Sequence, residues 1–325
     1  MKREVFIRLS MLNAMVVAAI LAMACVTTKE AEPEVRWDEG LTTGVTRITN
    51  DGTIKDSVSV SPDGTKLLYT EATHRDRNGR WAWNIIFLRD ARNPAKTPLV
   101  TDFAFAPAWY NDNTRFLYVS WENGAGRIMR STVSGGGRTY ITRTPVGDSD
   151  NSPAIKDGII ICSVWMNQRW QLVGMRENGT EPTFVGEGRS PSWHPTQNKF
   201  LFVRDGNVCE MDIDAGYQVT QLYADPNFAC FQPSYSPDGK KILFAKNTVT
   251  RANMYVSTRG SRNETIPEEV LRTHIFVMEA DGTFVSPISS GRASVYSPSW
   301  GQNGEIFCLV EIGSGSEIYR LLLRE

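Results

Sequence analysis

Histidine is scarce in this 325-residue sequence; His74, His194 and His274 are the three. No H-E-x-x-H pair, C-x-x-C pair or G-x-S-x-G elbow occurs, which removes the usual signatures of zinc peptidases, structural zinc sites and serine hydrolases. The glycine run Ser134-Gly135-Gly136-Gly137 sits between two strand-like segments with no helix after it, so it reads as a hairpin turn and not a phosphate loop. Charge of one sign is not in excess: the net value is −1, which gives no reason to expect a nucleic-acid partner. Helical periodicity is almost absent, with Pro267 to Leu271 as the one weak candidate. The N-terminal apolar stretch, Met11 to Ala24, is broken by Asn13 and is shorter than the roughly 20 residues needed to span a bilayer.

That stretch has another reading. Lys2, Arg3 and Arg8 precede it, and Ala22-Met23-Ala24 supplies small residues at a cleavage position, as in a secretory signal peptide. Cys25 follows directly. The run Leu21-Ala22-Met23-Ala24-Cys25 is similar to the lipobox of bacterial lipoproteins, which implies lipidation of Cys25 and attachment to a membrane of the cell envelope. Residues 1–24 are therefore expected to be a lipoprotein signal peptide. Residues 25–40, polar and acidic-leaning through Glu30, Glu32, Glu34, Asp38 and Glu39, are expected to be a flexible tether.

Hydrophobic residues make up 41% of the chain, enough for a sizeable core, and the 9 Trp, 14 Phe and 10 Tyr suit pleated sheet. A repeated phrase organises the rest. Its clear copies are Ser59-Val60-Ser61-Pro62-Asp63-Gly64 and Ser234-Tyr235-Ser236-Pro237-Asp238-Gly239; Pro107-Ala108-Trp109, Pro153-Ala154-Ile155, Pro191-Ser192-Trp193 and Pro298-Ser299-Trp300 open the others. The large residues of the six copies, Val60, Trp109, Ile155, Trp193, Tyr235 and Trp300, are 49, 46, 38, 42 and 65 positions apart. Short strands repeating at that period predict propeller blades of four strands each. Residues 41–325 are thus predicted to form an all-β, six-bladed propeller. Gly44 to Thr49 should return as the outer strand of the last blade and remove an open edge. The long interval is read as a loop over Asn247 to Thr273.

Asp63, Asp238 and Asp281 are expected to shape turns by accepting backbone amides. Cys162 and Cys308 lie in apolar runs and read as small buried hydrophobes, whereas a Cys209–Cys230 bridge is compatible with the sequence.

The Ser-Pro-Asp-Gly phrases, each followed by a basic residue and an aliphatic-aromatic strand, resemble the repeats of the TolB-like propeller family. The strand Thr46-Arg47-Ile48-Thr49-Asn50 resembles the one that enters such a repeat. The resemblance implies binding of other envelope proteins. The additional N-terminal α/β domain of TolB itself has no counterpart in these residues, nor does a hydrolase domain like those that accompany similar repeats in prolyl-oligopeptidase-like enzymes.

In a propeller, hairpins between second and third strands emerge at the same end as the starts of the inner strands. Here the hairpins carry Arg75, Arg77, Arg80, Trp81 and Trp83, then Trp121, Glu122 and Asn123, then Trp165, Asn167, Arg169 and Trp170. The inner strands are entered through Asp56, Phe105, Asn151, Arg189, Phe231 and Tyr296. Trp, Tyr and Arg combine contact area with directed polar groups, so this end reads as a recognition surface for an envelope protein, a peptide or a glycan. Trp83 and Trp165 fit better as strand-starting residues packed between blades; Trp81, Trp121 and Trp170 fit either role. No cofactor and no catalytic residue is expected. The alternative is a metal-assisted lyase or hydrolase at the central channel, with histidines such as His194 as ligands; the bland reading of the three histidines is scattered turn and surface positions.

Overall fold

A computed structural model describes residues 35–75, 81–93, 95–143, 146–147, 149–256 and 264–324. Cys25 and Arg80 lie outside them, and for Arg75, Trp81, Trp83 and His74 only the backbone is described. No helix occurs among the described residues.

Six four-stranded antiparallel sheets follow one another. Their inner strands are Ile54–Val60, Ala104–Trp109, Ser149–Lys156, Arg189–Trp193, Cys230–Tyr235 and Val295–Trp300. The second strands, such as Arg115–Glu122 and Lys199–Arg204, are nearly continuous apolar runs instead of alternating ones. The reason lies in the packing. Along Ile242-Leu243-Phe244, Ile242 and Phe244 face the fourth blade while Leu243 faces the sixth, and all three are fully buried. A strand covered on both faces has no solvent side to keep polar. Six such clusters, one between each pair of neighbouring blades, complete the circle; in the last, Leu67 and Tyr69 of the first blade meet Phe307, Leu309 and Ile318 of the sixth.

The ring is also closed by hydrogen bonds. Thr42–Arg47 pairs with Gly315–Leu323 as the outer strand of the sixth blade, as the sequence leads one to expect. Beneath this seam the fully buried Lys55 places Nζ 2.5 Å from Asp51 Oδ1, 3.5 Å from Glu317 Oε2 and 3.0 Å from the Ser316 carbonyl. Burial alone would raise the Asp51 pKa, but Lys55 and Thr53 hold it well below the ordinary carboxylate range. The described chain begins within the expected tether, where Val35–Trp37 pairs with Ser289–Gly291.

Two expectations are corrected, and a pairing the sequence left open is decided. Residues 247–256 and 264–273 are strand, not loop: Lys241–Val256 and Glu264–Glu279 pair from Lys241↔Glu279 to Val256↔Glu264. Pro267 to Leu271 is part of the second of these strands, not helix, because a segment with a hydrogen-bonded partner strand needs no bonds within itself. Cys209 and Cys230 are both free. Cys209 packs in the cluster between the third and fourth blades and Cys230 in the one between the fourth and fifth, so the body of the fourth blade separates them. Burial pushes the Cys230 thiol up to about 12 and raises Cys209 and Cys308 as well.

Candidate functional site

Each inner strand carries an irregularity at the same place, between Lys55 and Val58, Phe105 and Ala108, Asn151 and Ala154, Arg189 and Ser192, Phe231 and Ser234, and Tyr296 and Ser299. In five blades the residue at the bulge has a left-handed backbone: Ala106, Ser152, Ser190, Gln232 and Ser297, with φ between 42° and 56°. A proline follows each of them, so the disrupted ladder leaves no unpaired N–H there. The first blade has Val58 in place of proline, and its N–H donates to Ser297 Oγ at 3.0 Å. Two residues further on, the Val60 N–H donates to Ser299 Oγ at 3.1 Å.

The bulges line a central channel. Its upper part, of about 560 Å³, is walled by all six inner strands, with Asp56, Phe105, Asn151, Ser190, Gln232 and Ser297 among the lining groups. A lower part of about 520 Å³ runs toward the Ser-Pro-Asp-Gly turns. The upper mouth is the end where the inner strands start and where the hairpins between second and third strands emerge, since Ser149 pairs with Trp165 and Ile54 with Ala72. The long hairpin of the fifth blade leaves at this end too, with Val249 and Leu271 directly opposite each other and exposed.

The sequence placed eighteen residues at this end. Trp121 is 41% exposed and its ring lies 6.4 Å from that of Phe105. Asn123 takes a left-handed φ in the turn beside it. Trp170 meets Trp165 edge-on at 5.2 Å. Trp165 is 37% exposed, which corrects the expectation that it packs between blades: it closes a two-tryptophan ladder at a hairpin tip. Arg169 pairs with Glu187 at 3.0 Å, both exposed, so this bridge contributes little stability and leaves the guanidinium available. Asn151 is occupied locally, its Oδ1 accepting from the Ser152 N–H at 2.6 Å. Tyr296 donates its hydroxyl to the Lys55 carbonyl at 3.0 Å, and burial pushes its pKa up to about 12. It is a clamp between the sixth and first blades. Arg189 lies over the Phe231 ring at 5.3 Å, and burial lowers its pKa. Asp56 is open to channel water yet hemmed in by the wall, and this enclosure raises its pKa. A cleft of about 560 Å³ between the third and fourth blades adjoins, lined by Arg169, Trp170, Glu187, Arg189 and Arg204.

The opposite end is built differently. Ser61 Oγ donates to Asp63 at 2.6 Å and accepts from the Lys66 N–H at 2.9 Å, and Ser236, Asp238 and Lys241 repeat the arrangement with the same distances. Asp281 accepts from both the N–H and the hydroxyl of Thr283. His194 stands where the clear copies have Ser. Its Nδ1 accepts from the N–H groups of Thr196 and Gln197 at 3.2 and 3.0 Å, and its ring packs edge-on against Tyr235 at 4.6 Å. Burial, with Lys199 and Lys156 nearby, lowers its pKa. His274 is buried in the fifth blade with Nδ1 3.4 Å from Ser289 Oγ. Among the described residues, no group of three or more His, Cys, Asp or Glu is gathered in metal-binding geometry. Two repeat tryptophans bridge blades, Trp109 donating to the Ser59 carbonyl at 3.0 Å and Trp300 to the Ser234 carbonyl at 3.1 Å.

No protein-family model and no curated protein matches this sequence. Solved structures do match its fold. A protein described as a putative TolB from Agrobacterium tumefaciens is 14% identical with a TM-score of 0.62, covering 87% of this chain and 99% of its own. TolB from Acinetobacter baumannii is 17% identical with a TM-score of 0.55; the match covers 82% of this chain and 65% of that longer protein. An oligogalacturonate lyase in complex with manganese is 13% identical with a TM-score of 0.51, covering 91% of this chain and 98% of its own. At these identities the likeness is one of fold, and the fold is a six-bladed β-propeller.

Proposed function

We propose that this protein is a non-catalytic, lipid-anchored component of the bacterial cell envelope whose propeller presents its channel-mouth end to a protein, peptide or glycan partner. The observation that carries the reading is the concentration at one end of Trp121, the Trp165–Trp170 ladder, Arg169 and the Arg189–Phe231 stack, beside a hairpin that extends away from the blade. Large aromatic and guanidinium groups around a concave site are the usual makers of binding energy. The TolB-like fold supports a scaffold role by analogy, and the lipobox-like run ending at Cys25 supports the anchor.

The test is capture of partners from intact cells by cross-linking and mass spectrometry, with wild type beside the triple variant Trp121→Ala, Arg169→Ala, Trp170→Ala. Loss of captured proteins at an unchanged melting temperature is expected. Unchanged capture removes this face from consideration, and a stoichiometric transition metal in the purified protein would turn the reading toward a metal-assisted lyase or hydrolase. Mass analysis of the N-terminus, with Cys25→Ser as the control, checks the anchor: a diacylglycerol adduct is expected on wild type alone.

A further inference from the structure

Strand register fixes the end at which the chain enters the propeller. Val35 pairs with Gly291 and Trp37 with Ser289. Pro287 lies beside Phe276, and the Ile288 N–H donates to the Ile275 carbonyl at 2.9 Å, so the stretch from Ser286 to Gly291 runs along the fifth blade toward the pair Thr273 and Asn247. That pair stands where the inner strand of the blade begins, since the Asn247 N–H donates to the Ala229 carbonyl. Gly291 is therefore at the channel-mouth end, and Val35 with it. The chain then runs toward the other end: the Asp38 N–H donates to the Ile288 carbonyl at 3.0 Å, and Thr42 pairs with Leu323, which is bonded to Gly304 in a turn. The entry is firmly held. Val35 and Trp37 pack against the cluster between the fifth and sixth blades, and the Trp37 ring lies 6.1 Å from that of Tyr319.

That direction limits an anchor placed upstream. Cys25 precedes Val35 by ten positions, and a fully extended chain of that length reaches about 35 Å. The 8 residues Glu305–Ile312 of the sixth blade alone extend about 26 Å between the two ends of the ring. A membrane at the turn end would consume most of the tether in passing the blade, whereas one at the mouth end consumes none. The mouth end also carries a fitting surface. Trp121, Trp165 and the opposed Val249 and Leu271 are exposed there, and tryptophan favours the edge of a bilayer. Tyr217 and Phe284, exposed in turns at the other end, are the rival membrane-facing groups.

We propose that the propeller is held with its channel mouth toward the membrane that takes the Cys25 lipid, and that the partner of this face is a protein embedded in or bound to that same membrane. The proposal deepens the partner-binding reading and rests on its anchor. The gap under the mouth is limited to the reach of the tether, about 35 Å, which a soluble partner must enter from the side and a partner in the membrane fills from below.

Fluorescence energy transfer tests the orientation, with the full lipidated chain seated in phosphatidylcholine vesicles and a rhodamine-labelled lipid as acceptor. The donor is placed on Gln168→Cys, in a hairpin turn at the mouth, or on Lys240→Cys, in a Ser-Pro-Asp-Gly turn; both positions are exposed. Cys162, Cys209, Cys230 and Cys308 are buried, which leaves the label to the new thiol. Transfer about twofold stronger from Gln168→Cys is expected, since about 26 Å of blade separates the two labels. Equal transfer, or stronger transfer from Lys240→Cys, overturns the orientation and leaves the anchor standing. A wild-type chain that carries no lipid and does not seat on vesicles overturns anchor and orientation together. Proteins whose capture in intact cells is lost with Trp121→Ala, Arg169→Ala, Trp170→Ala should come from the membrane fraction, and their recovery as soluble proteins overturns the partner assignment. The expected transfer with capture unaffected by those residues defeats the face alone.

Discussion

The two ends of the channel are made from the same six strands and are opposite in character. At the turn end, polar groups are spent on the fold: Ser61 and Asp63, Ser236 and Asp238, and His194 with Thr196 and Gln197 satisfy one another, and Trp109 and Trp300 join neighbouring blades. At the channel-mouth end, Trp121 and Trp165 are exposed, and Asp56 and Arg189 have no ionic partner among the described residues. Unanswered charge persists only where the surroundings hold it in place, and it tends to mark sites of function. The comparison teaches that the repeated phrase is stability chemistry, while the residues between its copies carry recognition.

That contrast can be broken by substitution. The largest effect should come from Trp109→Ala at the turn end. Its ring is buried in the cluster between the first and second blades and its indole is hydrogen-bonded, so about 3–5 kcal/mol should be lost in denaturant unfolding. Gly239→Ala comes next. Gly239 has φ of 75°, and an added Cβ would lie 2.6 Å from His194 Nε2; a cost of about 1–3 kcal/mol is expected. Ser236→Ala removes a hydroxyl that both donates and accepts within its turn, and about 1 kcal/mol should disappear.

A pH experiment sharpens the same comparison. The folded-state pKa of His194 is lowered, so the unfolded chain binds the extra proton first. Its contribution to stability is complete above the unfolded value of about 6.5 and is lost as pH falls from there toward the folded value. Melting temperatures of His194→Ser, which installs the serine of the other turns, should lose part of the wild-type slope below pH 6.5. An identical slope would deny His194 its buried, neutral role; the similarly lowered His274 supplies the part that stays. The smallest effect on stability belongs to the other end: Trp121→Ala should stay within about 0.5 kcal/mol of wild type. A loss as large as that of Trp109→Ala would erase the distinction between the ends.

Much of this was legible in the chain. The 38 to 65 residue spacing of Val60, Trp109, Ile155, Trp193, Tyr235 and Trp300 identified the blades, because each copy ends in a turn that local chemistry alone can form. The return of Gly44 to Thr49 followed from the need to cover an edge. The pairing of 247–256 with 264–273 was missed, since polar and β-branched residues such as Asn247, Thr248 and Val249 satisfy a loop as well as an exposed strand. The buried pair Lys55 and Glu317, with the exposed Asp51 beside it, joins residues more than 260 positions apart, and its one local signal was a glutamate inside the apolar strand Gly315–Leu323.

Blade number, strand order and the turns at one end were determined by the sequence itself, because short apolar runs and the turn residues between them act over a few neighbours. Which charges would stand unpaired, which tryptophans would face solvent and how the first and last strands would lock were decided only when six blades closed on one another. Asp56 and Arg189 are ordinary residues in the chain, and only the closed ring sets the first in the channel wall and the second over Phe231 of the next blade, since each place depends on the blades around it.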